Sequence, residues 1–444
     1  MKYILSILNF TLIISTIGQV QDSTLFKLSK NVNLEFGSAF YYRNGWDETE
    51  YENHFLENFN HLTPEGGLVW GEYGVSPDSG QINTWGGDRI IGFAHEHGLQ
   101  VKAQHLVWHR YFAGEDNLLP DWIISDEGVS KYDKDKLVVL LKNFITQTIT
   151  HYAVNFPGTV NRWCVVNEAG SNTTGFIPNL WLDSLGPEYI DSSFIWAREA
   201  AGSDIKLYYN EYFYHGGTYG GARIQSKIDF AFEVISGLME RDIPIDGVGF
   251  QCHIPEIGYP GKEIVASDMK RFTDLNLEVY ITELDVELIS PVTQEKLIQQ
   301  AKIYKEIIEI ALENPLIKLV CLWQFNDAQS WLGENAEACI MDESYRPKPA
   351  YDSIQKVLID ANDLSTKTNI NIENNEFILI SNKTISILQP EQGVLLIQNV
   401  NGQIVNCVKV FKGDIIPTNH LGNGAYIVTF QNNKCIWQKK FTNL

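Results

Sequence analysis

The chain has 444 residues, of which 44% are hydrophobic, 12% aromatic and 20% charged, a composition that excludes disorder over the whole length. Fifty-five acidic against 34 basic residues give a net charge of −21, so nucleic acid and anionic membrane surfaces are excluded as general partners by long-range repulsion. The length accommodates two or three domains, or one large barrel with an appendage.

In chain order, Met1-Lys2-Tyr3 is followed by an apolar run from Ile4 to Ile17 and the small residue Gly18. That pattern reads as a secretory signal peptide over 1–18 and predicts a secreted or cell-surface protein. The run is too short for a spanning helix, which needs roughly 20 apolar residues, and no later stretch reads as transmembrane. Six cysteines without a C-x-x-C pair offer neither a disulfide framework nor a zinc motif. Cys164, Cys252 and Cys321 sit in apolar runs and read as small core residues, while Cys407 and Cys435 near the end could pair.

Over 22–361, short β-rich runs alternate with longer amphipathic ones, which predicts an α/β fold. Eight strand candidates begin at Leu34, His61, Val101, Trp163, Lys206, Gly247, Val279 and Leu319. Eight strand–helix units over about 300 residues fit a (β/α)8 TIM barrel. The competing doubly wound sheet lacks a G-x-G-x-x-G turn after its first strand. Residues 362–376, rich in Asn, Thr and Ser, read as a linker, and 377–444 carries only strand patterns and turn signals, an all-β sandwich-like domain.

Many of the barrel strands end in a polar or acidic residue, and strand C-termini surround the active site of a barrel. Glu65, His109, Glu168, Asn210, Gln251 with His253, Glu283 and Trp323 therefore converge on one face. A carboxylate ending an apolar strand costs desolvation energy. One alone is as well explained by an ion pair; two at one mouth point to the paired acid and nucleophile of glycoside hydrolysis. His105 and His109, four residues apart without a third ligand motif, do not make a metal site, and no cofactor motif is present.

Leu106-Val107-Trp108-His109, Trp163 to Ala169, Asn210-Glu211-Tyr212, Gly249 to His253, Ile281-Thr282-Glu283-Leu284-Asp285, and Trp323 with Trp331 together resemble the ordered signatures of glycoside hydrolase family 10, the retaining endo-β-1,4-xylanases. The resemblance covers about Asn33 to Ala361 and implies a xylan-type polysaccharide as partner. By resemblance, Glu168 is the general acid/base and Glu283 the nucleophile. Asn167, Gln251, Tyr212, Trp108, Gln104, Glu65, Trp323 and Trp331 bind sugar. Gln251 is expected on the nucleophile or on the sugar 2-hydroxyl, and His253 between Glu283 and Asp285, with Asp285, His109 and Asn210 in support.

Three departures stand out. The family pattern T-P-E-N-x-M-K-W reads Thr63-Pro64-Glu65-Gly66-Gly67-Leu68-Val69-Trp70, so two sugar-gripping side chains are replaced by Gly66 and Val69. Gln104 takes the place of the first His in G-H-x-L-V-W-H, with His105 one step along and hence expected on the opposite face of the strand. Glu211 stands where Asp is usual. The expectation is an intact catalytic centre with altered glycone subsites, acting on xylan or a decorated xylose-containing polysaccharide. A retaining glycosidase on another β-linked polysaccharide and a polysaccharide-binding barrel with little turnover are the rival readings. The last domain, through Gly393 to Gly402, Leu421 to Val428 and Lys439-Lys440-Phe441, resembles a type IX secretion sorting domain, implying export machinery as a partner; a carbohydrate-binding sandwich is its alternative.

Overall fold

The computed structural model describes residues 24–443 apart from 43–47, 67, 69–81, 109–118, 120–121, 125–129, 174, 215–222, 371–377 and short stretches of the C-terminal unit (382–383, 388–391, 400–402, 412–413, 419–420, 423 and 432–435). The apolar N-terminal run, Gly67, Val69, His109 and Cys435 lie outside the described residues.

Residues up to Ile359 form the first compact unit. Its strands are β1 (Glu35–Phe40), β2 (His61–Pro64), β3 (Gln100–Ala103), β4 (Val107–Trp108), β5 (Val160–Asn167), β6 (Lys206–Glu211), β7 (Gly247–Phe250), β8 (His253–Pro255), β9 (Glu278–Glu287) and β10 (Ile317–Leu322). All pair in parallel in the order β1-β2-β3-β5-β6-β7-β9-β10, and β10 returns to β1 through Glu35 to Leu319 and Gly37 to Cys321. The short β4 and β8 extend the third and sixth positions alongside β5 and β9. Helices between the strands complete a (β/α)8 barrel.

Period-two alternation explains which side chains face inward. Cys164, Tyr208, Tyr280, Leu319 and Cys321 form their own buried cluster inside the ring. Their neighbours Val165, Leu207, Tyr209, Val279, Ile281 and Val320 join the larger core against the helices. Cys164 and Cys321 thus act as small interior residues, as their apolar setting implies. The helices carry the matching 3.6-residue pattern: Gln294–Glu313 buries Gln300, Ala301, Ile303, Tyr304, Ile307, Ile308, Ile310 and Ala311, and Thr293 caps its start.

The second unit is Asp360–Leu444. Its start corrects one expectation. The helix that begins at Pro349 runs to Ile370, through the first part of the segment read as a linker. No Gly or further Pro interrupts that stretch, so nothing in it stops helix propagation. Beyond it lie β11 (Ile378–Ser381), β12 (Thr384–Ile387), β13 (Gln392–Asn399), β14 (Ile404–Phe411), β15 (Ile415–Pro417), β16 (Gly424–Gln431) and β17 (Ile436–Asn443). They form two antiparallel sheets, β11-β12-β15 and β14-β13-β16-β17. Both sheets feed one core, with Ile385 and Ile387 from the first meeting Leu395, Ile397, Val410, Val428 and Phe430 from the second. Strand β15 is too short and Pro-ended to show a pattern in the sequence, and in the barrel the short β8 is likewise not anticipated. Cys407 is a free, exposed thiol on β14.

Candidate active site

Strand β5 is buried along nearly its whole length and delivers Asn167 and then Glu168 to the barrel mouth. At Glu168 the backbone turns into the left-handed region, φ +55°, a conformation uncommon for a residue with a side chain and frequent at functional sites. Its amide donates to the Asn210 carbonyl at 2.9 Å. Gln251 Nε2 donates to Glu168 Oε1 at 2.8 Å, and the Trp108 indole donates to Oε2 at 3.2 Å.

Glu283 lies within β9 and is 5% exposed. Asn210 Nδ2 donates to its Oε1 at 2.8 Å, and His253 Nε2 lies 3.3 Å from Oε2. The same Asn210 amide donates to Asn167 Oδ1 at 2.8 Å and accepts from the Thr282 hydroxyl at 2.8 Å. Gln251 Nε2 also reaches Asn167 Oδ1 at 3.4 Å. Side-chain amides therefore link the two carboxylates: Glu168 to Gln251, to Asn167, to Asn210, to Glu283. Asn167 Nδ2 is buried with no partner among the described residues, an unused donor in the middle of that chain.

Of the two expectations for Gln251, side-chain contact with the nucleophile candidate is not met, since the carboxamide meets Glu168 and Asn167. Asn210 and His253 each bond one oxygen of Glu283, and the bond recorded between Gln251 and Glu283 is between backbones, Glu283 N donating to Gln251 O at 3.0 Å.

The two carboxylates differ in their surroundings. His253 stands between Glu283 and Asp285, with Nδ1 2.9 Å from Asp285 Oδ2. Burial alone would push its imidazolium down, but the charge and hydrogen bond of Asp285, together with Glu283, raise it to about 10. The ring is charged at neutral pH and donates from both nitrogens. Burial pushes the Glu283 carboxyl up, yet the hydrogen bond and charge of His253, followed by the charge of Lys102, pull it below the ordinary value. Among the described residues the Glu168 carboxylate receives neutral donors, an amide and an indole.

The linkage has a defined sign. The His253 contribution to stability is complete below about pH 6.5 and is lost as pH rises towards about 10. The Glu283 contribution is present above its unfolded value and lost on acidification. Asp285→Asn should remove the main anion that holds the ring charged. Glu283 then loses its cationic neighbour, and the acid limb of the pH profile of kcat/KM should move to higher pH; an unmoved limb would show that Asp285 does not act through His253.

Trp331, 46% exposed, donates its indole N–H to Asp285 Oδ2 at 2.7 Å and packs edge-on to His253 at 5.1 Å between centroids. Trp323 meets the same ring at 6.3 Å. Tyr212 bonds Asn172 Oδ1 at 2.7 Å, and the Lys227 ammonium sits 3.0 Å from its ring centroid. Glu65, half-buried, accepts from Gln324 Nε2. Gln104 is 3% exposed and accepts from Lys102 Nζ at 2.7 Å.

Strand alternation places His105 opposite Gln104, but both are buried, and His105 Nδ1 lies 3.1 Å from the inward-facing Cys164 Sγ. Strand β3 ends at Ala103 and pairing resumes only at Val107, so the two-residue period does not run through this step. Burial pushes the His105 imidazole down to about 4. Among the described residues no cluster of His, Cys, Asp or Glu could hold a metal ion.

Sequence reasoning did not single out Thr282, Gln324, Lys102 or the fully buried Glu211–Lys227 pair at 2.7 Å. Glu211 also accepts from the Tyr209 hydroxyl at 2.8 Å and the Gly170 amide at 3.1 Å. Burial raises its carboxyl while the Lys227 ammonium opposes the rise. The ion pair thereby pins the loop that follows Glu168.

The family pattern of glycosyl hydrolase family 10 matches residues 24–357. Endo-1,4-beta-xylanase B of Thermotoga neapolitana is 32% identical over 353 residues, covering 78% of this chain and 94% of its own. A beta-1,4-xylanase of Dictyoglomus thermophilum is 30% identical over 326 residues, covering 69% and 84%. Among solved structures, xylanase 10B of Thermotoga petrophila in complex with xylobiose superposes with a TM-score of 0.67 at 32% identity, covering 76% of this chain and 98% of that one.

Proposed function

The chain belongs to glycosyl hydrolase family 10, and from that premise we propose that it is a retaining endo-β-1,4-xylanase working by double displacement. The observation that carries the assignment of roles is the asymmetry of the two carboxylates. Glu283, held ionised beside the charged His253, suits nucleophilic attack on the anomeric carbon. Glu168, whose described partners are neutral donors, suits protonation of the leaving oxygen and later activation of water. Attack forms a covalent glycosyl-Glu283 ester as the aglycone leaves with the proton of Glu168. Water, losing a proton to Glu168, then breaks the ester, and the configuration is retained. This mechanism requires the carboxyl groups to stand about 5–5.5 Å apart.

The free Asn167 Nδ2 suits a hydrogen bond to the sugar 2-hydroxyl, a contact that strengthens as the oxocarbenium-like transition state forms. Trp323, Trp331 and Trp108 supply apolar faces for pyranose rings, and Tyr212 lines the leaving-group side. Gly66, which replaces a sugar-gripping Asn, opens the glycone side and favours a decorated xylan as substrate. The apolar run at residues 1–18 supports export, and the motifs of the C-terminal unit support delivery by type IX secretion; intracellular retention of a C-terminally truncated chain would agree, and its undiminished release would not.

Product analysis by mass spectrometry on linear xylan, glucuronoxylan, arabinoxylan, mixed-linkage glucan and mannan tests the substrate. Xylo-oligosaccharides are expected, with decorated xylans cleaved at least as well as linear xylan. Products from glucan or mannan alone would overturn the substrate, and binding without product from any polysaccharide would favour a non-catalytic barrel.

A further inference from the structure

Lys102 lies on β3, beneath the mouth of the barrel, and is fully buried. It forms no ion pair among the described residues; its one hydrogen bond is to Gln104 Oε1 at 2.7 Å. An ammonium removed from water without a carboxylate in direct contact is expensive; burial pushes its ionisation down, and the charges of Cys321 and Glu283 oppose this. A residue that only filled space here would be Met or Leu. The cost therefore calls for a role, and the geometry of the contact supplies one.

An ammonium has donors and no acceptor, whereas a carboxamide has an acceptor end and a donor end. Lys102 can face only the Oε1 end of Gln104. The flipped amide would set N–H groups against the ammonium, so the orientation of the carboxamide is fixed and its NH2 is turned away from Lys102. Gln104 is 3% exposed, yet its Nε2 donates to no described residue. It is an unused, oriented donor at the C-terminal end of a barrel strand, where substrate is met. Asn167 shows the same arrangement: its Oδ1 is occupied by Asn210 and Gln251, and its Nδ2 is free.

We infer that Lys102 is a positioning residue that locks the Gln104 carboxamide with its NH2 towards a hydroxyl oxygen of the bound sugar. The inference deepens the glycosidase reading and rests on it for the identity of the ligand. It also accounts for the departure at Gln104: a side chain with two interchangeable orientations is made into a single-purpose donor by the cation behind it. The titratable groups around Glu283 are His253 from β8, itself bonded to Asp285, Lys102 from β3, His105 just beyond that strand, Cys164 from β5, Tyr208 from β6, Cys252 between β7 and β8, and Cys321 from β10. Loss of the Lys102 charge thus has a second, separable signature at the nucleophile.

The test is a double-mutant cycle of Lys102→Met and Gln104→Ala, with Lys102→Arg as the conservative variant. It is read on whichever aryl β-glycoside of a xyloside, glucoside and mannoside panel the wild type cleaves, so an error in the substrate leaves the coupling measurable. Each single variant should lose about tenfold or more in kcat/KM. On the pH plateau the double variant should be no worse than Gln104→Ala, and Lys102→Arg should recover most of the loss. The acid limb of kcat/KM should move to higher pH in Lys102→Met and stay in place in Gln104→Ala. Fully additive losses, or a Lys102→Met enzyme with lowered Tm and unchanged kcat/KM, would overturn the role. A reading independent of turnover is the side-chain NH2 signal of Gln104 in 15N-labelled protein, assigned by its loss in Gln104→Ala. That signal should shift and exchange faster with water in Lys102→Met; if it stays in place, the lock does not exist.

Discussion

Glu283→Ala should lower kcat by on the order of 10⁴-fold or more, and added azide should restore turnover of an activated aryl glycoside as the α-glycosyl azide. The first half follows from the chemistry: without the carboxylate there is no ester, and water must attack an unassisted anomeric carbon. The second half follows from geometry. Removing the side chain opens space beside His253 and Asn210, which hold its two oxygens, and a small anion there attacks from the same side as the lost carboxylate. One displacement in place of two inverts the configuration. The measurement is rate together with product stereochemistry by NMR. A β-azide, or an enzyme that retains more than about a hundredth of its rate, would remove Glu283 from the nucleophile role.

The second large effect is expected at Glu168, and it depends on the leaving group. Glu168→Ala should cut kcat on polysaccharide by about 10²- to 10⁴-fold, because an alkoxide leaving group needs the proton. A nitrophenyl or dinitrophenyl glycoside needs none, so its first step should survive while hydrolysis of the ester loses its general base. The enzyme should then release one equivalent of phenol in a burst and stall as a covalent adduct. Mass spectrometry of the stalled protein and of its peptides should place one glycosyl group on Glu283. Equal losses on phenyl and dinitrophenyl substrates, with no burst, would assign the proton transfer to another residue. The two experiments are complementary: one removes the covalent intermediate and the other accumulates it.

The parts of this site that were legible in the sequence are those fixed by strand ends. Asn167 with Glu168, Asn210, and Glu283 with Asp285 each close an apolar run, and a barrel brings such ends together whatever their separation in the chain. His253 between two carboxylates was implied by the family resemblance alone; the pairing of β8 with β9 at Asp285 is what seats it there. What could not be read were contacts decided by competition among side chains. Gln251 goes to Glu168 while Asn210 and His253 bond the oxygens of Glu283, an allocation that strand register does not decide. Glu65 is held by Gln324, which lies 259 positions away and shows no pattern of its own. His105 points inward because the strand breaks where alternation was assumed. The helix end at Ile370 was obscured for a different reason: its polar composition resembles a connecting segment, while the propagation of an established helix is limited by stop residues rather than by polarity.

The closure of β10 onto β1 bears on when this chain becomes a working enzyme during its synthesis. Until about residue 322 has left the ribosome, the sheet has two open borders, at β1 and β9, each offering unpaired backbone groups to any passing strand. Both borders disappear in one event, when the last strand slots between them. Glu283 already has its flanking His253 at that stage, but Trp323 and Trp331, the aromatic residues beside that histidine, arrive only with or after the closing strand. Protection from self-association therefore comes with the closing strand and the aromatic residues beside His253 follow directly after it, so both are acquired late in translation.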